Sequence, residues 1–252
     1  MNRDTFSQIL EKINVSLSEE QLNQLDQYYH ILVEWNEFMN LTGITEYDQV
    51  LVKHFADSLA VKKAIDDLAG KDSKIKKSLD LNASIRIMDV GTGAGFPGLP
   101  LKIAYPKTQV VLLDSLNKRI KFLNEVITQL GLNSIEAIHG RAEEYARNVD
   151  YREQSDLVVS RAVANLATLV EYCLPYTKVG GYFISYKSGD IEEEAKKAEK
   201  AVRLLGGEIA HIYKFQLPES DIDRSFVIIR KITKTAKKFP RKAGLPGKEP
   251  IE

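Results

Sequence analysis

The sequence predicts an α/β fold: a mostly parallel seven-stranded sheet flanked by helices, closed by a terminal antiparallel hairpin and preceded by a helical N-terminal extension. Three observations carry this prediction. From residue 85 onward, short apolar runs alternate with helix-compatible stretches, the texture of a parallel sheet. The last two apolar runs stand too close together for a crossover helix, so they must pair antiparallel. The first 65 residues instead carry helical periodicity.

The elements follow in order. Ser18-Glu19-Glu20-Gln21 has capping-box form. Leu22, Leu25, Tyr28, Tyr29, Leu32, Trp35, Phe38 and Met39 then recur at helical spacing and read as core. Asn40-Leu41-Thr42-Gly43 reads as the stop, and a shorter helical pattern spans 50–65. Residues 66–84 are polar and lysine-bearing and read as a linker. Strands are predicted at 85–90, 110–113, 135–138, 157–160 and 182–186. Pro97 suits a first helical turn, with Leu99, Leu101 and Ile103 behind it. Further helices are predicted at 118–130, stopped by Gly131, at 165–176, broken by Gly180-Gly181, and at 191–205, ending at Gly206-Gly207. The hairpin takes 209–215 and 225–232. The chain therefore divides into a helical region with linker (1–83), an α/β domain (84–233) and a basic tail (234–252).

Composition narrows the class. With 44% hydrophobic and 28% charged residues the chain is an ordinary globular protein. No apolar run approaches the roughly 20 residues of a membrane helix, and the N-terminus lacks a signal-peptide layout. Cys173 is the only cysteine, so no internal disulfide forms; it lies in a helical pattern and reads as a small buried apolar residue. A reducing, cytoplasmic setting and a monomer are the expectations. No metal-ligand cluster is evident. The net charge is zero but unevenly spread: residues 1–70 carry twelve acids against five bases, leaving the remainder at +7. Residues 230–249 hold eight bases against one acid, which fits either a nucleic-acid contact or a solvated tail.

The chemistry concentrates at Asp89-Val90-Gly91-Thr92-Gly93-Ala94-Gly95-Phe96-Pro97-Gly98, where an apolar strand ends in an acid and a run of glycines. Gly91, Gly93 and Gly95 let the backbone turn sharply and approach a ligand closely. The Asp89 carboxylate suits a ligand with a positive charge or hydroxyls and opposes a pyrophosphate. Ligands of open α/β sheets sit beyond the carboxyl ends of the strands. Asp114 falls there after the second strand, at a spacing suited to ribose hydroxyls, and Ala142 and Glu143 after the third would border a purine. An adenosine bearing a cationic arm fits this set, namely S-adenosylmethionine. Gly93-Ala94-Gly95-Phe96-Pro97-Gly98 also matches G-x-G-x-x-G, so an NAD-dependent oxidoreductase is the competing reading, and a non-catalytic RNA-binding module that keeps a donor pocket is a third. After the fourth strand stands Ser160-Arg161-Ala162-Val163 rather than a loop suited to an exocyclic amine. A substrate that needs no deprotonation, such as guanine N7, suits these absences.

These segments, together with Asn40-Leu41-Thr42, His54-Phe55-Ala56-Asp57-Ser58, Arg141-Ala142-Glu143 and Phe239-Pro240-Arg241-Lys242-Ala243-Gly244-Leu245-Pro246, span almost the whole chain in order. The chain resembles the ribosomal RNA small subunit methyltransferase G (glucose-inhibited division protein B) family. The resemblance implies a class I S-adenosylmethionine-dependent, Rossmann-like methyltransferase domain at 84–233. It implies methyl transfer to N7 of one guanine in 16S ribosomal RNA, with the RNA or the small subunit as partner. It also implies donor-site residues at Gly91, Phe96, Ala142, Glu143 and Arg161. His54 and Asp57, which share a helix face, join Arg161 as candidates for the catalytic side of the pocket. Lys187, Arg241 and Lys242 are the expected RNA contacts. Phe239 replaces the family's usual tyrosine, and Ser188 splits its usual lysine-glycine pair.

Overall fold

The computed structural model describes residues 1–71, 75, 78–162 and 164–252. Helix α1 (Arg3–Glu11) starts at Asn2, whose side chain accepts a hydrogen bond from the Thr5 amide. Helix α2 (Glu19–Met39) opens with the expected capping box: Gln21 N donates to Ser18 Oγ, and Ser18 N donates to the Gln21 side chain. It ends at Asn40 in the left-handed conformation, φ 51°. Its buried face carries Leu22, Leu25, Tyr28, Ile31, Leu32 and Met39. Phe38, expected in the core, is instead 66% exposed.

The helical pattern expected at 50–65 is four joined pieces. Helix α3 (Tyr47–Val50) runs into a π-helical turn (Leu51–Ala56), then α4 (Asp57–Leu59) and α5 (Val61–Lys71). The widened turn lies where Lys53 and His54 sit, a common placement for π-helical turns at functional sites. The stretch read as a linker thus begins inside a helix, and its Ile75, Leu79 and Leu81 are buried because they join the main core. The part of that stretch at 72–74 and 76–77 lies outside the described residues.

The α/β portion then runs β1 (Arg86–Val90), α6 (Gly98–Ala104), β2 (Gln109–Asp114), α7 (Asn117–Gln129), β3 (Ile135–His139), α8 (Ala142–Tyr145) and β4 (Ser155–Ser160). It continues α9 (Leu166–Cys173), β5 (Thr177–Ser188), α10 (Glu192–Leu204), β6 (Gly207–Gln216), β7 (Asp223–Lys231) and α11 (Leu245–Lys248). The sheet order is β3-β2-β1-β4-β5-β7-β6. Strand β7 pairs antiparallel with both β5 and β6, as the short connection requires, and the other pairings are parallel. Gly180-Gly181, expected to separate a helix from a strand, lie inside β5. A bulge opposite Ser155 and Leu157 brings Gly181 against the Asp156 carbonyl, which leaves a Cβ only 2.7 Å of room.

Apolar side chains cover both faces of the sheet, which is why its strands read as continuous apolar runs. On one face the N-terminal helices share a core with Ile87, Leu112, Val159 and Ile184. On the other, α9 and α10 pack over Met88, Val111, Val158 and Phe183.

The basic tail is docked rather than frayed. Phe239 is buried, and Arg152 donates to the Phe239 carbonyl at 3.0 Å. Arg241 grips the carboxylate of Glu171 on α9 through Nε and Nη2, at 3.0 and 2.7 Å. Its guanidinium is therefore engaged inside the protein, while Lys242 is exposed. Glu171 is fully buried, and a buried carboxylate that loses its partner is strongly destabilising. Arg241→Ala is expected to lower unfolding free energy by about 3 kcal/mol, measured by urea denaturation; a loss under about 1 kcal/mol would show that this pair does not hold the tail.

Candidate functional site

The loop between β1 and α6 turns at Gly91, Gly93 and Gly95, with φ of 74°, 62° and 94°. Five of its amides donate within the protein. Gly91 N and Thr92 N donate to the Leu113 carbonyl at 2.9 and 3.1 Å, and Gly95 N and Phe96 N to the Thr92 carbonyl at 3.0 Å each. Gly93 N donates to Asp114 Oδ2 at 2.9 Å. This loop is therefore not a ring of open N–H groups of the kind that cradles a pyrophosphate.

Asp89 lies beneath the loop and is fully buried, so it does not face a ligand as its position in the sequence suggested. Its Oδ2 accepts from Gly98 N at 2.8 Å and from Thr92 Oγ1 at 2.6 Å, which pins both ends of the loop. Burial pushes its carboxyl up to about 6, against the pull of those two hydrogen bonds. Gly98 is obligatory here: a Cβ would overlap Leu112 and stand 2.9 Å from Asp89 Oδ2. Gly95 is likewise a packing glycine, with Tyr28 Oη only 2.7 Å from the position of a Cβ.

Two cavities open above the carboxyl ends of the strands. The smaller, about 200 Å³, is lined by Gly91, Asp114, Ser115, Ala142, Glu143, Ala162, Leu169 and Tyr172 among others. Gly91, Asp114, Ala142 and Glu143 thus come together as the sequence suggested. Asp114 is held by Leu116 N at 2.9 Å and Arg119 Nη1 at 3.1 Å, besides Gly93. Glu143 accepts from the tail's Gly244 N at 2.7 Å, which seats the tail at this pocket's edge.

The larger cleft, about 570 Å³, lies on the other side of Ala162 and is lined by Lys53, His54, Asp57, Arg161, Lys187 and Arg224 among others. Arg161 faces this cleft rather than the smaller pocket. Its Nη1 donates to Asp57 Oδ2 at 3.0 Å, its Nη2 lies 3.4 Å from His54 Nδ1, and its guanidinium sits 4.9 Å from the Phe96 ring centre. The Phe96 ring does not line the smaller pocket; it is buried, stacked against His54 at 4.6 Å and Tyr28 at 5.4 Å. His54 Nε2 is 2.8 Å from Thr42 Oγ1. Burial, reinforced by the neighbouring Arg161 charge, lowers the His54 imidazole to about 4, so it is neutral near pH 7.

Lys187 lines the cleft, yet its ammonium is already held by the Ala164 carbonyl and Glu194 Oε1, both at 2.7 Å. Arg224, absent from the sequence reading, donates through Nε to Asp57 Oδ1 at 2.7 Å. Nothing near residue 224 signals this role; only the strand order places the start of β7 against α4. Among the described residues there is no group of three or more metal-ligating side chains, and no helix is long and apolar enough to cross a membrane.

Residues 21–227 match the family model described as GidB, rRNA small subunit methyltransferase G. The ribosomal RNA small subunit methyltransferase G of Lachnoclostridium phytofermentans is 50% identical over 250 residues, covering 99% of this chain and 98% of its own. That of Desulforamulus reducens is 47% identical over 247 residues, covering 98% and 97%. The crystal structure of TrmN from Thermus thermophilus aligns over 72% of this chain and 53% of its own, with a TM-score of 0.50 and 17% identity, a likeness of fold alone. The match over most of the chain, and the two near-full-length relatives, mean that this protein belongs to the rRNA small subunit methyltransferase G (GidB) family.

Proposed function

We propose that the protein transfers a methyl group from S-adenosylmethionine to N7 of a guanine in 16S ribosomal RNA, with the donor in the smaller pocket and the guanine in the larger cleft. It acts in the cytoplasm on the RNA or the small subunit. One observation carries this reading: two cavities of different chemistry meet at a single small residue, Ala162, which lines both. Gly91 keeps the same partition thin, since a Cβ there would lie 3.7 Å from the Ala162 Cβ.

The smaller pocket fits the donor. Ala142, Ala162 and Leu169 offer an apolar slot for a purine, and Asp114 and Glu143 offer acceptors for hydroxyls or ring amines. When bound, S-adenosylmethionine supplies an electrophilic methyl carbon. The same carboxylates, and the engagement of five loop amides within the protein, disfavour the pyrophosphate of a nicotinamide dinucleotide.

On the cleft side, guanine N7 presents a lone pair in the ring plane and needs no general base. The residues here are suited to alignment rather than proton transfer. His54 is held neutral and stacked on Phe96. Arg161 is fixed by Asp57 and Phe96 at the rim beside Ala162. Asp57 has both carboxylate oxygens engaged by arginines, which makes it a firm anchor.

Incubation with methyl-labelled donor and small ribosomal subunits should place label in 16S RNA as 7-methylguanine; label in another product, or RNA retention without transfer, would contradict the proposal. Ala142→Leu should fill the donor slot and raise the donor Kd at least about tenfold, roughly 1.4 kcal/mol, by calorimetry, whereas unchanged donor affinity would move the donor elsewhere. The His54 imidazole also predicts a pH effect. Its folded value near 4 lies below the ordinary 6.5, so its stabilising contribution is complete above pH 6.5 and is lost as pH falls toward 4. The stability difference between wild type and His54→Gln should shrink by up to about 3 kcal/mol from pH 7 to 4.5; a constant difference would show that the imidazole is not held neutral. Asp89 works in the opposite sense, stabilising at low pH and less so as pH rises toward 6, but it is common to both proteins and cancels.

A further inference from the structure

We infer that Arg224 is a phosphate-binding residue of the cleft, the group that holds the RNA backbone beside the target guanine. The inference rests on the assignment of the cleft to RNA and adds a residue that neither motif nor composition pointed to. The Asp57 carboxylate is 2% exposed and receives two arginines, so the trio of Asp57, Arg161 and Arg224 carries one uncompensated positive charge at the cleft. The two arginines are not equivalent. Arg161 has one nitrogen on Asp57, the other beside His54, and its flat face over Phe96.

Arg224 reaches Asp57 only through Nε, at 2.7 Å. Among the described residues its two Nη nitrogens have no hydrogen-bond partner, and the side chain is 21% exposed where it lines the cleft. An arginine tied by Nε to a buried carboxylate has its stem ordered in advance, and its two remaining nitrogens form a fork matched to two phosphate oxygens. Two of the three cations expected to meet RNA are engaged elsewhere, Lys187 by Glu194 and Arg241 by Glu171, and the third, Lys242, is exposed but does not line the cleft. Arg224 does not line the smaller pocket, so the anion it meets is an RNA phosphate and not the carboxylate of the donor.

The test uses the full chain, Arg224→Gln and Arg224→Lys, small ribosomal subunits and labelled donor. The Gln variant is expected to raise KM for subunits about tenfold at 0.1 M salt with kcat within about threefold and donor Kd unchanged. Its dependence of log KM on log salt should flatten by about one unit, the signature of one lost phosphate contact. A purely structural role would not move that slope. The Lys variant retains the charge and should keep the wild-type slope with a smaller rise in KM, which preserves the test if the Gln variant folds poorly. A wild-type slope in the Gln variant, a loss of donor affinity, or a wild-type KM in the Lys variant would overturn the inference. Absence of 7-methylguanine with the wild-type protein would instead overturn the cleft assignment itself.

Discussion

A single buried carboxylate organises the functional face. Asp57 belongs to the N-terminal helices, yet its two oxygens are held by Arg161 at the end of β4 and Arg224 on β7. Each arginine is more than 100 residues from Asp57 in sequence. The ion pairs therefore tie the N-terminal helices to the sheet at the cleft, beside the apolar core that the two share. Burying a carboxylate between two partly buried arginines is a poor way to gain stability, since desolvation offsets much of the attraction. Its value lies in geometry: once Asp57 is placed, the directions of both guanidinium groups are set.

The second constraint lies under the glycine loop. Asp89 fastens the loop from beneath through Thr92 and Gly98, while Asp114 fastens it from the side through Gly93. A loop secured in this way offers a ligand its shape and its flanking carboxylates rather than its amide hydrogens. That distinction separates a pocket for a hydroxyl-rich nucleoside from one for a diphosphate, although both can carry the same glycine spacing. The docked tail extends the logic, because Gly244 caps Glu143 and Arg241 neutralises Glu171 on the helix that borders the same pocket.

Much of this was legible in the sequence, for physical reasons. Strands covered on both faces must be continuously apolar, so Ile87, Leu112, Val158 and Ile184 declared the sheet. Cavities of open sheets form beyond the strand ends, so the meeting of Asp114, Ala142 and Glu143 around one cavity was legible without coordinates. What stayed hidden depends on direction and on distant partners. No local pattern says that Asp89 points under its loop, or that the Phe96 ring turns away from the smaller pocket to support His54 and Arg161. A lysine or arginine in a sequence does not reveal its partner: Lys187 meets Glu194 and Arg241 meets Glu171 only after folding. Arg224 was out of reach because only the β5-β7-β6 order carries it to Asp57. Gly180-Gly181 misled because a glycine pair marks either a break or a close approach, and here a bulge made it the latter.

In the proposed function a donor pocket and an acceptor cleft meet at Ala162, and Asp57 acts on the cleft alone. The most direct test is Asp57→Asn, scored for both donor affinity and methyl transfer. Donor Kd within about twofold of wild type, together with transfer to RNA reduced at least about tenfold, is the predicted result. Parallel loss of both, or transfer at the wild-type rate, would contradict that division.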